Sequence, residues 1–131
     1  MEVTVPATIL RVPSVHSDER RDIAEVEYAF PSAVRKTVLA VKGVVSLGNH
    51  YHRELTETFL LAQGEAHLLT RDVDAEGSAT ATIEKQTLVA PVVIVMPPFT
   101  AHCFQFSGPA VLICDSDKPF DKNDLLPFAF N

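Results

Sequence analysis

The sequence lacks several features that would place it in a particular class of protein. It has only two cysteines, Cys103 and Cys114, which are too few for the disulfide framework of a small secreted domain. No uninterrupted apolar run approaches the ~20 residues of a membrane-spanning helix, because Pro91 interrupts the nearest run, residues 88–96. Residues 1–10 lack the basic start and the long apolar core of a signal peptide. We therefore expect a cytoplasmic protein with reduced thiols and no membrane partner.

Basic residues are also in the minority. The chain has 11 lysines and arginines against 17 aspartates and glutamates, which gives a net charge of −6. A nucleic-acid-binding protein needs a basic face that displaces counterions from phosphate, so we expect no nucleic-acid partner. A small anionic ligand is still compatible with this charge, because a bound cation can reverse its sign locally.

The length and composition predict one globular domain. The chain has 131 residues, of which 47% are hydrophobic and 21% charged, so it can bury one core and is not disordered. We predict a single domain over residues 1–131, with amino-terminal strands in 1–30 and a barrel core in 34–116. The apolar segment 117–131 is predicted to pack on its own barrel or against a partner subunit, and a homodimer is expected.

Short runs rich in Val, Ile, Thr and Phe alternate with turn residues, and little in the chain has helical spacing. Residues 72–78 have the composition of a polar hairpin loop. So many strands, with no room for crossover helices, indicate an all-β antiparallel sandwich or barrel. The predicted strands are 9–12, 23–30, 34–47, 56–62, 66–71, 79–84, 88–95 and 110–114.

A group of histidines and carboxylates points to a metal site. His50 and His52 are two residues apart, so in a strand their side chains share one face. Glu57 can return over the pair from the next strand, although Glu54 competes for the same role. His102 follows a double proline 50 residues after His52 and could complete the set from another strand. Imidazoles with a carboxylate suit a first-row divalent metal with positions left for a substrate.

Two segments resemble the motifs of the cupin superfamily. The spacing from His50 and His52 through Glu57 to Gly64 is similar to the first motif, H-x-H-x(3,4)-E-x(6)-G. Residues 97–102, PPFTAH, resemble the second motif, except that Phe99 stands where that motif usually has glycine. The resemblance implies a double-stranded β-helix, and it favours Glu57 over Glu54. It also implies one divalent ion (zinc, iron, manganese or nickel) held by His50, His52, Glu57 and His102.

A narrower resemblance is to cupin domains that act on nucleotide-linked keto-sugars. Such domains often carry a D-x-R-G element, to which residues 18–21, DERR, are similar, with Arg21 in place of the glycine. The resemblance implies an isomerase or epimerase that moves a proton at C3 of a 4-keto sugar. It makes Arg20 a candidate for binding the diphosphate. The other interpretation is that this segment is a charged surface turn.

Two other functions are compatible with the same residues. One is an iron-dependent dioxygenase, since three histidines and a glutamate can hold Fe(II) with positions free for oxygen. The other is a binding cupin that takes up a small molecule without catalysis.

Several other residues have predicted roles outside the metal site. Tyr51 and Arg53 are expected to point away from the metal, and Cys103 is expected in the core. His16 and His67 are not expected to be functional. Four apolar residues are predicted to be either pocket wall or core: Phe59, Leu61, Phe104 and Phe106.

Overall fold

The computed structural model describes residues 13–27 and 34–130, which form eleven β-strands and one short 3-10 helix, η1. Within those residues, no helix is both long enough and apolar enough to cross a membrane. The strands are β1 (Ser14–Ser17), β2 (Arg21–Glu27), β3 (Arg35–Val41), β4 (Val44–Tyr51), β5 (Glu57–Gln63), β6 (Glu65–Asp72), β7 (Glu84–Val89), β8 (Val92–Met96), β9 (Thr100–Ser107), β10 (Ala110–Ser116) and β11 (Leu126–Pro127); η1 covers Lys122–Asp124.

The strands form two antiparallel sheets. One has six strands in the order β1-β2-β3-β10-β5-β8, and the other has five in the order β11-β4-β9-β6-β7. Strands β5 and β10 alternate between buried and partly exposed residues, as expected where one face of a sheet covers a core. The predicted all-β class with antiparallel strands is confirmed.

Both sheets contribute side chains to one hydrophobic core. Leu61 and Leu112 enter it from the six-stranded sheet, and Leu68, Phe104 and Phe106 enter it from the five-stranded sheet. Strand β9 is buried along most of its length, because it lies between β4 and β6 in its sheet. One end of this strand therefore lies in the interior, where it carries His102.

Three predicted strands were wrong. The run 34–47 is two strands in different sheets, because the chain turns at Lys42 and Gly43. The run 88–95 is interrupted at Pro91, which has no N–H to donate to a sheet ladder. Residues 79–83 are exposed and form no strand, apart from an isolated bridge at Ala79, so β7 begins at Glu84. The sequence prediction also missed β9, whereas strand 9–12 and residues 28–30 lie outside the described part of the chain.

The carboxyl-terminal segment crosses the outside of the five-stranded sheet. Its strand β11 pairs with β4, with Leu126 opposite Tyr51. Beyond it, Phe128 and Phe130 pack on a second buried cluster. That cluster contains Tyr51, Val73 and Ala101. The segment thus contacts the strand that carries His50.

Candidate metal centre

The four residues predicted to bind a metal come together at one end of the barrel. His50 lies near the end of β4, directly opposite His102 in β9. Glu57 is the first residue of β5, and His52 follows β4 in the turn that leads to it. One nitrogen or oxygen atom from each of the four side chains lies within 4.8 Å of the others. Glu54, the alternative carboxylate, is exposed and lies outside this group.

Backbone carbonyls orient two of the imidazoles. Nδ1 of His52 lies 2.6 Å from the carbonyl oxygen of Asp124, and Nδ1 of His102 lies 3.0 Å from that of Thr100. A carbonyl oxygen only accepts hydrogen bonds, so each Nδ1 carries the proton. In the neutral imidazole, Nε2 then has a free lone pair. Both Nε2 atoms face Oε1 of Glu57, at distances of 3.2 and 3.6 Å.

The carboxylate of Glu57 is oriented by a thiol. Sγ of Cys114 donates to Oε2 at 3.2 Å, which leaves Oε1 directed at the histidines. The two Nε2 atoms and Oε1 are buried. They lie close together, but none of them has an aligned hydrogen-bond partner among the described residues. Buried polar atoms are rarely left in this state, and a shared cation would satisfy all three.

The protonation states suit such a cation. Burial, together with neighbouring His102 and His52, lowers the pKa of His50 to about 4. Burial also lowers the pKa of His102. Burial would raise the pKa of Glu57, but its contact with His52 and the charge of His102 lower it to about 2. Three of the four groups are therefore in their metal-binding form near neutral pH.

The pKa of His52 shifts in the opposite direction from those of the other two histidines. Burial disfavours its charged form, but the adjacent Glu57 carboxylate raises the pKa of the imidazole. A metal competes with a proton for Nε2 of His52, so a rise in pH favours metal binding there. With His52 neutral, the complete set is three imidazoles and one carboxylate, which are ligands that zinc, manganese, iron and nickel bind.

A cavity of about 490 Å³ extends from these residues between the two sheets. Phe59 and Phe104 form part of its wall, whereas Leu61 and Phe106 belong to the core. Charged side chains from β2 and β3 also line the cavity: Arg21, Glu25, Glu27 and Arg35.

The arginines of the 18–21 segment are arranged differently from the prediction. Arg20 is exposed, lies 3.8 Å from the Asp18 carboxylate and is not part of the cavity wall. Arg21 lines the cavity, and its Nε is buried without a hydrogen-bond partner in the described chain. The other cavity arginine, Arg35, forms an ion pair with Glu25. Arg21 is therefore better placed than Arg20 to bind an anion in the cavity.

Three residues with positive φ shape the backbone around the histidines: Gly48, Asn49 and Phe99. Gly48 has a φ of 112° at the irregular pairing of β4 with β9. Phe99, which replaces the usual glycine of the second motif, adopts the left-handed conformation with a φ of 61°. Its N–H donates to the carbonyl oxygen of His52 at 2.7 Å. The loop thus keeps a conformation that favours glycine without having glycine there.

The residues predicted to lie outside the site do so. Tyr51 and Cys103 are buried, and Arg53 is exposed. His16 is exposed beside Asp18, and His67 is exposed on β6. The sequence prediction missed the contacts of Cys114 and Asp124 with the site. No local pattern signals them, since each is more than 50 residues away from its partner in the chain.

Solved structures confirm the fold that the resemblance to cupins implies. CapF, the capsular polysaccharide assembling protein from Staphylococcus aureus, is 20% identical, with a TM-score of 0.74 over 92% of this chain and 32% of that chain. Oxalate decarboxylase from Bacillus subtilis is 17% identical, with a TM-score of 0.66 over 92% of this chain and 33% of that one. QdtA is a sugar 3,4-ketoisomerase from Thermoanaerobacterium thermosaccharolyticum, solved in complex with TDP. It is 16% identical, with a TM-score of 0.61 over 72% of this chain and 66% of that one.

At these identities the likeness establishes the fold, a double-stranded β-helix. The chain spans about a third of the length of the CapF chains that it matches. No curated protein is significantly similar to it in sequence. The sequence of residues 16–124 matches the polysaccharide biosynthesis C-terminal domain family, and this chain belongs to that family.

Proposed function

We propose that this domain binds one divalent metal ion through His50, His52, Glu57 and His102. We further propose that it acts as an isomerase or epimerase on a sugar that carries a carbonyl group. The observation that carries the proposal is the convergence of buried Nε2 and Oε1 atoms without hydrogen-bond partners at the end of a cavity. Support also comes from two proteins with this fold, one a capsular polysaccharide assembling protein and the other a sugar ketoisomerase.

A divalent ion in this site would polarise the substrate carbonyl and make the neighbouring C–H more acidic. The chain's own residues set the conditions for that reaction. Glu57 supplies the one negative charge of the ligand set, so the site keeps a net positive charge when a divalent ion is bound. Phe59 and Phe104 exclude water beside it, which strengthens the electrostatic interactions there.

Arg21 would bind an anionic part of the substrate. It lines the same cavity as His50 and Glu57, and its side chain has no ion pair in the described chain. An arginine can bind phosphate oxygens through two N–H groups at once. The complex of QdtA with TDP makes a nucleoside diphosphate the first ligand to test. We expect Arg21→Ala to weaken TDP binding about tenfold in calorimetry, and Arg20→Ala to leave it unchanged.

Elemental analysis of the purified protein tests the metal site. We expect close to one equivalent of a divalent metal in the wild type and much less in His50→Ala. His67→Ala is the matched control, because that histidine is exposed on β6 and lies outside the four-residue group. Equal metal content in wild type and His50→Ala would refute the site.

Proton exchange tests the reaction. In deuterated water, a TDP-linked 4-keto sugar should gain deuterium next to its carbonyl in the presence of the metal-loaded protein. Glu57→Gln should abolish the exchange. A protein that carries iron and consumes oxygen with a substrate would instead indicate a dioxygenase. A protein that is stabilised by the nucleotide sugar but exchanges no proton would indicate a binding domain.

A further inference from the structure

Asp124, in the carboxyl-terminal segment, accepts hydrogen bonds from the turn that carries His52. The backbone carbonyl of Asp124 accepts from Nδ1 of His52 at 2.6 Å. Its carboxylate accepts from the backbone N–H groups of Arg53 and Glu54, at 2.7 and 3.3 Å. One residue of the segment thus holds both the imidazole and the backbone of the next two residues.

These hydrogen bonds to Asp124 are important because His52 lies outside the sheets. His50 and Glu57 have registered partners on neighbouring strands, whereas His52 follows the end of β4. The hydrogen bond to Asp124 keeps the proton on Nδ1 of His52, and therefore keeps the Nε2 lone pair directed at Glu57. Without that bond the ring could rotate or exchange its tautomer.

The position of Asp124 is fixed in turn by how the segment docks. The next two residues, Leu125 and Leu126, lead directly into β11, where Leu126 pairs with Tyr51. Two residues further on, the N–H of Phe128 donates to the carbonyl of Asn49 at 2.8 Å. The carbonyl that orients His52 therefore stays in place only while the segment is docked on β4.

We propose that Asp124 is a positioning residue that couples docking of the segment 121–130 to metal binding; this rests on the metal site proposed above. The coupling is reciprocal by linkage: a docked segment raises the affinity for metal, and bound metal stabilises the docked segment by the same factor. Outer contacts of this kind alter metal affinity by about 10- to 100-fold in other proteins.

The first test measures the affinity for Zn²⁺ by competition with a chromogenic chelator. Asp124→Ala keeps the backbone carbonyl but loses both bonds to the turn, and we expect about tenfold weaker binding. Asp124→Asn retains a side-chain oxygen that accepts an N–H, so it should bind within about threefold of the wild type. Asp74→Ala is the matched control, because the Asp74 carboxylate also accepts two backbone N–H groups, from Glu76 and Ser78.

The second test follows hydrogen exchange of the backbone amides with and without Zn²⁺. The amides of Arg53, Glu54 and Phe128 should exchange more slowly when Zn²⁺ is bound. In Asp124→Ala this metal-dependent protection of Phe128 should be lost, even if the variant has the same thermal stability as Asp74→Ala. A role in folding alone would lower thermal stability without changing the response to metal.

The outcomes separate this proposal from the one on which it rests. If the wild type does not bind Zn²⁺, the metal site itself is refuted. If the wild type binds Zn²⁺ and Asp124→Ala binds it equally well, the site stands and the coupling is refuted. Equal weakening by Asp124→Ala and Asp74→Ala would also refute the coupling, because it would then be an effect of general destabilisation.

Discussion

Replacing Gly48 with alanine tests how tightly the backbone of the metal site is packed. A Cβ atom on Gly48 would lie 2.7 Å from the carbonyl oxygen of His102 and 3.3 Å from Cα of Cys103. Both neighbours are backbone atoms of β9, so β4 and β9 would have to separate at the site. In addition, alanine would have to adopt a φ near 112°, which L side chains rarely do.

The expected loss of folding stability follows from these two effects. A strained φ costs about 1–3 kcal/mol, and overpacking costs about 1–3 kcal/mol. Together they give about 2–6 kcal/mol, which is a large part of the about 5–15 kcal/mol that stabilises a typical domain. At about 4 °C per kcal/mol for a chain of this length, the midpoint of thermal unfolding should fall by roughly 8–24 °C.

The assay is thermal unfolding with and without Zn²⁺, combined with chelator competition. The control is Gly43→Ala, because Gly43 has ordinary backbone angles and a methyl group added to it would have no atom within 4 Å. We expect this control to change stability by less than about 0.5 kcal/mol. If Gly48→Ala melts and binds metal as Gly43→Ala does, then the close approach of β4 to β9 does not shape the site.

Three further predictions concern the thiol, the loop and the assembly. Cys114→Ala removes the donor to Glu57 Oε2, so the affinity for Zn²⁺ should fall about tenfold in the chelator competition, whereas Cys103→Ala should leave it unchanged. Phe99→Gly relieves about 1–2 kcal/mol of left-handed strain. It also loses the burial of a partly buried side chain, which is less than the about 1.5–3 kcal/mol of a fully buried one. Because the two effects nearly cancel, Phe99→Gly should be within about 1 kcal/mol of wild type. It should be more stable than Phe99→Ala in thermal unfolding, and the opposite order of these two variants would refute the strain at this position. We also expect a homodimer by light scattering, and a monomer for Val93→Lys on the exposed face of β8; a monomeric wild type would contradict this prediction.

The sequence predicts the candidate ligands better than it predicts the strands. The spacing of His50, His52 and Glu57 is local, and two strands joined by a turn bring these residues together in any barrel of this kind. His102 came from the resemblance and from its position after the double proline. All four lie within one group in the structure.

The errors in the strands have physical causes. Strand β9 is buried on both faces at Ala101, His102 and Cys103, so it lacks the alternation that identifies a strand with one solvent-exposed face. The run 34–47 remains rich in β-branched residues through the turn at Gly43, and only the sheet order shows that its halves belong to different sheets. Contacts made by Asp124 depend on the docked segment, which no spacing rule predicts.

The candidate ligands are fixed in two different ways. His50, His102 and Glu57 are placed by sheet register, whereas His52 is placed by loops, through Asp124 and the N–H of Phe99. His52 is also the one histidine of the three whose pKa is raised on balance, because there burial is outweighed by the contact with Glu57. Because the core of the barrel is formed by other residues, the metal-free domain should stay folded, and the loop-held histidine should be the first ligand to yield the metal.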